Sequence, residues 1–201
     1  RMKKNIIQIA LFILIIILAY LVYESIMEPV RYNKERNRRR EIVINKLKDI
    51  RTAQLNYKNV NKEYADSWDK LIDFLKNGKL PVIKKISTLP DSLSEISEEE
   101  AIKRGFIKVD TTYVNALDSL FGHRKDFSLE NFSIIPFSDG QQFSLRAGEI
   151  EKGHVKVKVF EVVAPNEAYL KGLDKDMINK EEKPALILGS MTEASHDGNW
   201  E

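Results

Sequence analysis

From Ile6 to Tyr23 the chain reads IIQIALFILIIILAYLVY, eighteen residues in which Gln8 is the only strongly polar side chain. A helix that is apolar all round belongs inside a large core or inside a bilayer, and about eighteen residues is the least that crosses the hydrocarbon layer. The run therefore predicts a membrane span over residues 6–24, with residues 1–5 as a short basic flank. A secretory signal peptide also begins with basic residues such as Arg1, Lys3 and Lys4, but its apolar part is shorter and ends at a small-residue cleavage site that is missing here. The expectation is an uncleaved single-pass anchor whose natural start is Met2. Gln8, Tyr20 and Tyr23 are the candidates for packing against other membrane helices.

The formal net charge of +2 conceals two unlike parts. Residues 31–58 hold ten Lys and Arg against Glu35, Glu41 and Asp49, whereas the remaining residues to Glu201 hold nineteen bases against twenty-five acids. A basic collar thus follows the span, and an acidic head follows the collar. Juxtamembrane bases attract anionic headgroups at roughly 1 kcal/mol each, which makes Arg31, Lys34, Arg36, Arg38, Arg39 and Arg40 the candidate membrane-surface residues. Orientation is argued both ways. The bases after the span outnumber those before it, which by the positive-inside rule keeps the head in the cytoplasm. The short basic flank before a strong apolar run has the form of a signal anchor, which sends the head out.

Between Pro29 and Gly78 there is neither glycine nor proline. Val43, Leu47, Ile50, Gln54 and Tyr57 recur at helical spacing, so a stem helix over residues 25–60 is expected to leave the membrane as a charged stalk and to bury one face from about residue 42. Pro29 either kinks this helix or starts a new one. An α+β head follows over residues 61–190. Its expected parts are a helix from Trp68 to Asn77 between Ser67 and Gly78, a strand over 80–86, and a helix capped by Ser97 and ended by Gly105. A strand over 106–114 buries Ile107, Val109, Thr111 and Tyr113. A three-stranded antiparallel meander is expected over 134–137, 142–150 and 155–163, with Val155, Val157 and Val159 facing the core. Asn166 caps a short helix, Ala185–Leu188 forms a last strand, and 191–201 is a loose tail from which Trp200 docks.

Two stretches carry a resemblance. EPVRYNKERNRR, residues 28–39, puts a proline just past the apolar run and then a tyrosine and bases. IRTAQLNYKNVNKEYADSWDKLIDFL, residues 50–75, reads as a stem helix ending in an A-Q-x-x-Y turn, a short link and a second small helix. In this the chain resembles type IV pilins and type II secretion pseudopilins over residues 6–77. The resemblance implies a stem helix packed on an antiparallel sheet, a head outside the cytoplasm at a bacterial inner membrane, and protein subunits of an envelope machine as partners. The chain departs from the family in lacking a prepilin peptidase motif and a glutamate early in the apolar run. What is implied is accordingly a non-polymerising assembly subunit.

Catalytic signatures are absent from the sequence. There is no cysteine, no G-x-S-x-G and no glycine-rich phosphate loop, and His123, His154 and His196 are scattered. Glu98-Glu99-Glu100 and Glu181-Glu182 read as solvated carboxylates, because neighbouring helical side chains point apart. Asp139-Gly140 reads as a hairpin turn. A basic collar also suits a nucleic-acid binder, but aromatic interleaving here is limited to Tyr32 and the collar abuts a membrane span. The expectation is a non-enzymatic structural or assembly subunit with no catalytic, cofactor or metal residues, no nucleic acid and no small-molecule substrate. Membrane lipids and protein subunits are its partners. A membrane-anchored ligand- or lipid-sensing module is the second reading.

Overall fold

The computed structural model describes the backbone of residues 2–87 and 107–201. The expected helix between Ser97 and Gly105 and the acidic triplet Glu98–Glu100 lie outside the described residues. The first element, α1 (Met2–Asn61), is a single helix of 60 residues that runs through Pro29 without ending. Proline costs that helix the hydrogen bond to the Ser25 carbonyl. Every described residue from Lys4 to Tyr23 is exposed, and the window there has a mean hydropathy of 2.8. One long apolar helix of this kind is compatible with a membrane anchor.

The other half of α1 is the spine of the head. Val43, Leu47, Ile50, Ala53 and Gln54 are fully buried along one stripe, and each buried aliphatic side chain there contributes about 1.5–3 kcal/mol. Against the stripe lies α2 (Trp68–Asn77), which brings Leu71, Phe74 and Leu75, followed later in the chain by α3 (Ala116–Phe121) with Ala116 and Phe121. Between them β1 (Lys79–Ser87) and β2 (Ile107–Asn115) form a two-stranded antiparallel ribbon. Here the expected burial of Thr111 and Tyr113 is reversed: Tyr113 is 64% exposed. Leu80 and Val114 are cross-strand partners on the face turned to the core, so Thr111 and Tyr113 look away from it; the side chains of Ile107 and Val109 lie outside the described residues.

The main sheet is antiparallel and three-stranded, in the order β3 (Ser144–Lys152), β4 (Val155–Pro165), β5 (Ala185–Gly189). Gly153 and His154, both at positive φ, make the two-residue turn that matches strand twist. Residues 134–137 are not the first strand of this sheet. A single bridge, Ile134 to Gln142, is all they form, because Pro136 has no N–H and Phe137 and Asp139 hold φ of 67° and 55°. The valine face is also corrected. Phe160, Val162 and Ala164 face the stem, whereas Val155 is 61% exposed and Val159 stands outside the contiguous core. The apolar alternation of β4 changes sides between Val159 and Phe160. Both faces at its middle are therefore covered, one by the core and the other under the segment that brings Met191 against Gly148.

Two short helices, α4 (Asn166–Tyr169) and α5 (Lys175–Asn179), link β4 to β5. Asn166 is the first residue of α4 rather than its cap; its amide instead donates to the Lys183 carbonyl at 2.6 Å and accepts from the Tyr169 hydroxyl at 3.0 Å. Ser67 makes no capping hydrogen bond, and Gly78 is extended rather than left-handed. Gly78 is instead excluded from having a Cβ, which would lie 2.3 Å from the Phe74 carbonyl oxygen. The tail is held, not loose: Gly198 bridges Leu188, and Asn199 exchanges hydrogen bonds with Ile187 and Ala185 along β5. Trp200 packs on the core as expected.

Candidate functional site

The collar begins at Arg31, directly after the exposed Val30, and it is not a bare stalk. Tyr32 is 8% exposed. Its hydroxyl donates to Glu181 Oε1 at 3.0 Å, and Arg36 Nη1 donates to the same oxygen at 2.9 Å. Burial and the adjoining Glu181 carboxylate push the Tyr32 phenol up to about 12. One turn on, Arg39 donates to the carbonyls of Tyr169 and Lys171 at 3.3 and 2.8 Å. Arg38 and Arg39 both stack over Phe137, a contact that a guanidinium makes at modest desolvation cost. Glu35, held down to about 2 by hydrogen bonds from Arg38 and then Arg39, organises these two arginines from their own helix. Arg31 pairs with Glu24. Of the six collar residues named by the sequence, four thus have carboxylate partners, and Lys34 and Arg40 have no ion pair among the described residues. Gln8, Tyr20 and Tyr23 are exposed on the apolar part of α1.

A second polar place lies two turns further along. A cleft of about 680 Å³ opens between the stem at Ile42–Asp49 and the segment from Arg124 to Pro136. Lys46 crosses its wall and donates to the carbonyls of Asn131 and Ile134, the latter at 2.7 Å; burial lowers its pKa. Asp49, raised by burial, accepts from Arg124 at 2.5 Å, and Arg124 also reaches Asp126 at 2.8 Å. Phe127 and Phe132 floor the cleft beside Phe121. Lys46 and Arg124 are both tied to protein acceptors, so the arrangement fastens the 124–136 segment to the stem, while Lys48, also at the cleft, is exposed. It presents no nucleophile with a base at hydrogen-bond distance. Among the described residues no three His, Asp or Glu side chains converge in a way that would hold a metal ion.

The fastening residues were hidden in the sequence because their partners lie far away: Tyr32 and Arg36 meet Glu181 across 149 and 145 positions. Glu181, read as solvated, is the acceptor they share. The only local signal was Tyr32, a lone aromatic in a polar stretch. No family model, no curated protein and no solved structure matches the chain.

Proposed function

We propose that this protein is a non-enzymatic, single-pass subunit that anchors in a bacterial inner membrane and presents a pilin-like α+β head to protein partners of a cell-envelope complex. One observation carries the reading. The exposed apolar segment and the buried spine of the head are parts of the same uninterrupted helix, so the head is joined to its membrane segment with no flexible linker between them. That suits a part whose work is to hold a binding surface at a fixed place relative to a membrane. Lys34, exposed and without an ion pair among the described residues, is the collar base left to meet anionic headgroups, whereas Arg40 is half-buried beside Tyr169, Glu181 and Glu182; Gln8, Tyr20 and Tyr23 are available to neighbouring spans.

The head lies outside the cytoplasm in this proposal. The six collar bases argue against it by the positive-inside rule; the signal-anchor form of the N-terminus, a short basic flank before a strong apolar run, and the pilin resemblance argue for it. A periplasm-dependent reporter fused after Glu201 is expected to be active, and a cytoplasm-dependent one silent; the opposite pattern refutes the orientation. Crosslinking in intact cells is expected to attach the head to other envelope proteins. Recovery of the chain alone, after crosslinking and in mild detergent, refutes the assembly role.

A further inference from the structure

We infer that the protein is a parallel dimer, held by a charge-free strip along one side of α1 that meets the same strip of a second copy. The strip runs from Gln8 in the apolar segment to Asn33 in the collar. The inference rests on the anchor reading and names the neighbour of the span. Of the sixteen residues 24–39, eight are charged. At about 100° per residue, all eight fall on one side of the helix, from Lys34 round to Arg36, and leave a sector of about 160° with none. That sector holds Ile26, Pro29, Val30, Asn33 and Asn37. The head does not explain it, because Tyr32 and Arg39, which clasp the head, stand on the charged side. The sector is open: Ile26 and Val30 are 61% and 53% exposed, with Asn33 and Asn37 exposed beside them. A stalk that meets only water is polar all round, so charge kept off one side marks a face that packs.

Toward the N-terminus the same side continues as Val22, Ala19, Ile15, Phe12 and Gln8. The steps from Gln8 to Asn37 are three or four residues and average about 3.6, so the strip is straight. Beyond Arg40 this side passes under the head, where Ile44 and Leu55 pack on the core. The polar members decide the occupant. Two chains inserted in one direction present each residue at the same depth, so across a two-fold axis every position meets itself. A lysine or glutamate would repel its copy, whereas a carboxamide carries both donor and acceptor and bonds to its copy. Gln8 and Asn33, near the two ends of the strip, are such groups, and an amide on a helix seam fixes register and strand number. The Asn37 oxygen already accepts from Arg36 at 3.0 Å. Ala19, the smallest side chain of the strip, lies near its middle and lets the backbones approach. Helices that cross there at about 20° part above the collar, which leaves each head clear of the other stem.

The chain has no cysteine, so a single introduced thiol marks one place. Full-length chains carry Ile26→Cys, Val30→Cys or Asn33→Cys on the strip, or Ser25→Cys, Met27→Cys or Arg31→Cys interleaved with these but off it. Each is oxidised with copper phenanthroline in membranes from expressing cells. The six thiols lie within about 12 Å along the helix, so the oxidant reaches them alike. The expected result is a disulfide-linked species of twice the chain's mass, holding most of the protein at the three strip positions and little of it at the other three. Equal yields at all six, or none, in chains that membranes retain through an alkaline wash overturn the dimer and leave the anchor standing. The same thiols are also coupled to a benzophenone and irradiated. Adducts of twice the chain's mass support the second copy, and adducts with a protein of another mass give the strip to a different subunit and overturn it. Chains released by the alkaline wash overturn the anchor and this inference with it.

Discussion

Gln54 is the most demanding single residue in the stem. It is fully buried in an otherwise apolar stripe, and its amide makes both possible bonds to one backbone unit: Nε2 donates to the Ala65 carbonyl at 2.9 Å, and Oε1 accepts from the Ala65 N–H at 3.0 Å. Ala65 is itself fully buried, so neither group finds water if the amide is lost. Replacing Gln54 by leucine keeps the volume and strands a donor and an acceptor, each worth about 1–3 kcal/mol when left unmade. The expected loss is about 2–4 kcal/mol after the gain from an apolar side chain, a large share of a total of roughly 5–15 kcal/mol. Gln54→Glu separates hydrogen bonding from shape. Protonated, the carboxyl reproduces both bonds; ionised, it accepts from the N–H but confronts the carbonyl oxygen in a dry site. Its folded pKa is therefore raised above the unfolded value of about 4.3. The variant is then close to the parent below that pH and loses stability as pH rises, by as much as 3–4 kcal/mol near neutrality at about 1.36 kcal/mol per unit. Urea unfolding of the full chain in mild detergent, followed through Trp68 and Trp200, reads the head directly. A loss below about 1 kcal/mol for Gln54→Leu, or a pH-independent difference for Gln54→Glu, would refute the claim that this amide pins the chain at Ala65.

Other outcomes follow from the same contacts. Tyr32 and Tyr169 are both held up to about 12 mainly by burial, so their contribution to stability is complete below about pH 10 and lost as pH rises through the folded values. Absorbance titration should find these phenols ionising last, and Tyr32→Phe should remove one of them. Gly189→Ala should cost about 2 kcal/mol or more in thermal or urea unfolding, since a φ of 73° disfavours a side chain and the new Cβ would lie 2.3 Å from the Phe160 carbonyl oxygen. His196, which meets the Tyr64 hydroxyl, has its pKa lowered by burial. Its contribution is present above about pH 6.5 and lost as pH falls. Protection of the 195–199 amides, with exchange corrected for its intrinsic pH dependence, should fall on acidification in the parent and stay level over that range in His196→Gln.

The elements that were legible in the sequence are those whose partner does not matter to the pattern. Val43, Leu47, Ile50, Gln54 and Tyr57 announce a buried helical face whatever covers it, and all are buried. The apolar run is equally independent of context. The strands depended on context and were harder to read. Val155, Val157 and Val159 alternate as a core face should, yet the pattern passes to Phe160, Val162 and Ala164 within one strand, and periodicity alone does not say which set meets the stem. Ile134–Phe137 has strand composition, but positive φ at Phe137 and Asp139 turns it into a loop fastened by Ser138, whose hydroxyl donates to the carbonyls of Ile135 and Gln141. The clamp at Tyr32, Arg36 and Glu181 and the cleft at Lys46, Asp49 and Arg124 were the least visible. Each joins residues 75 or more positions apart, and no local rule reports such a meeting.

Because α1 crosses from the apolar segment into the head without a break, the azimuth of the apolar segment is also the azimuth of the head. A helix turns about 100° per residue, so one alanine inserted between Tyr23 and Tyr32 swivels every surface of the head by that angle about the stem while lifting it only about 1.5 Å. A seven-residue insertion brings the original bearing back to within about 20°. Engagement with any fixed neighbour should accordingly rise and fall with the helical period of the insertion instead of fading steadily with its length. A flexible tether would erase that compass.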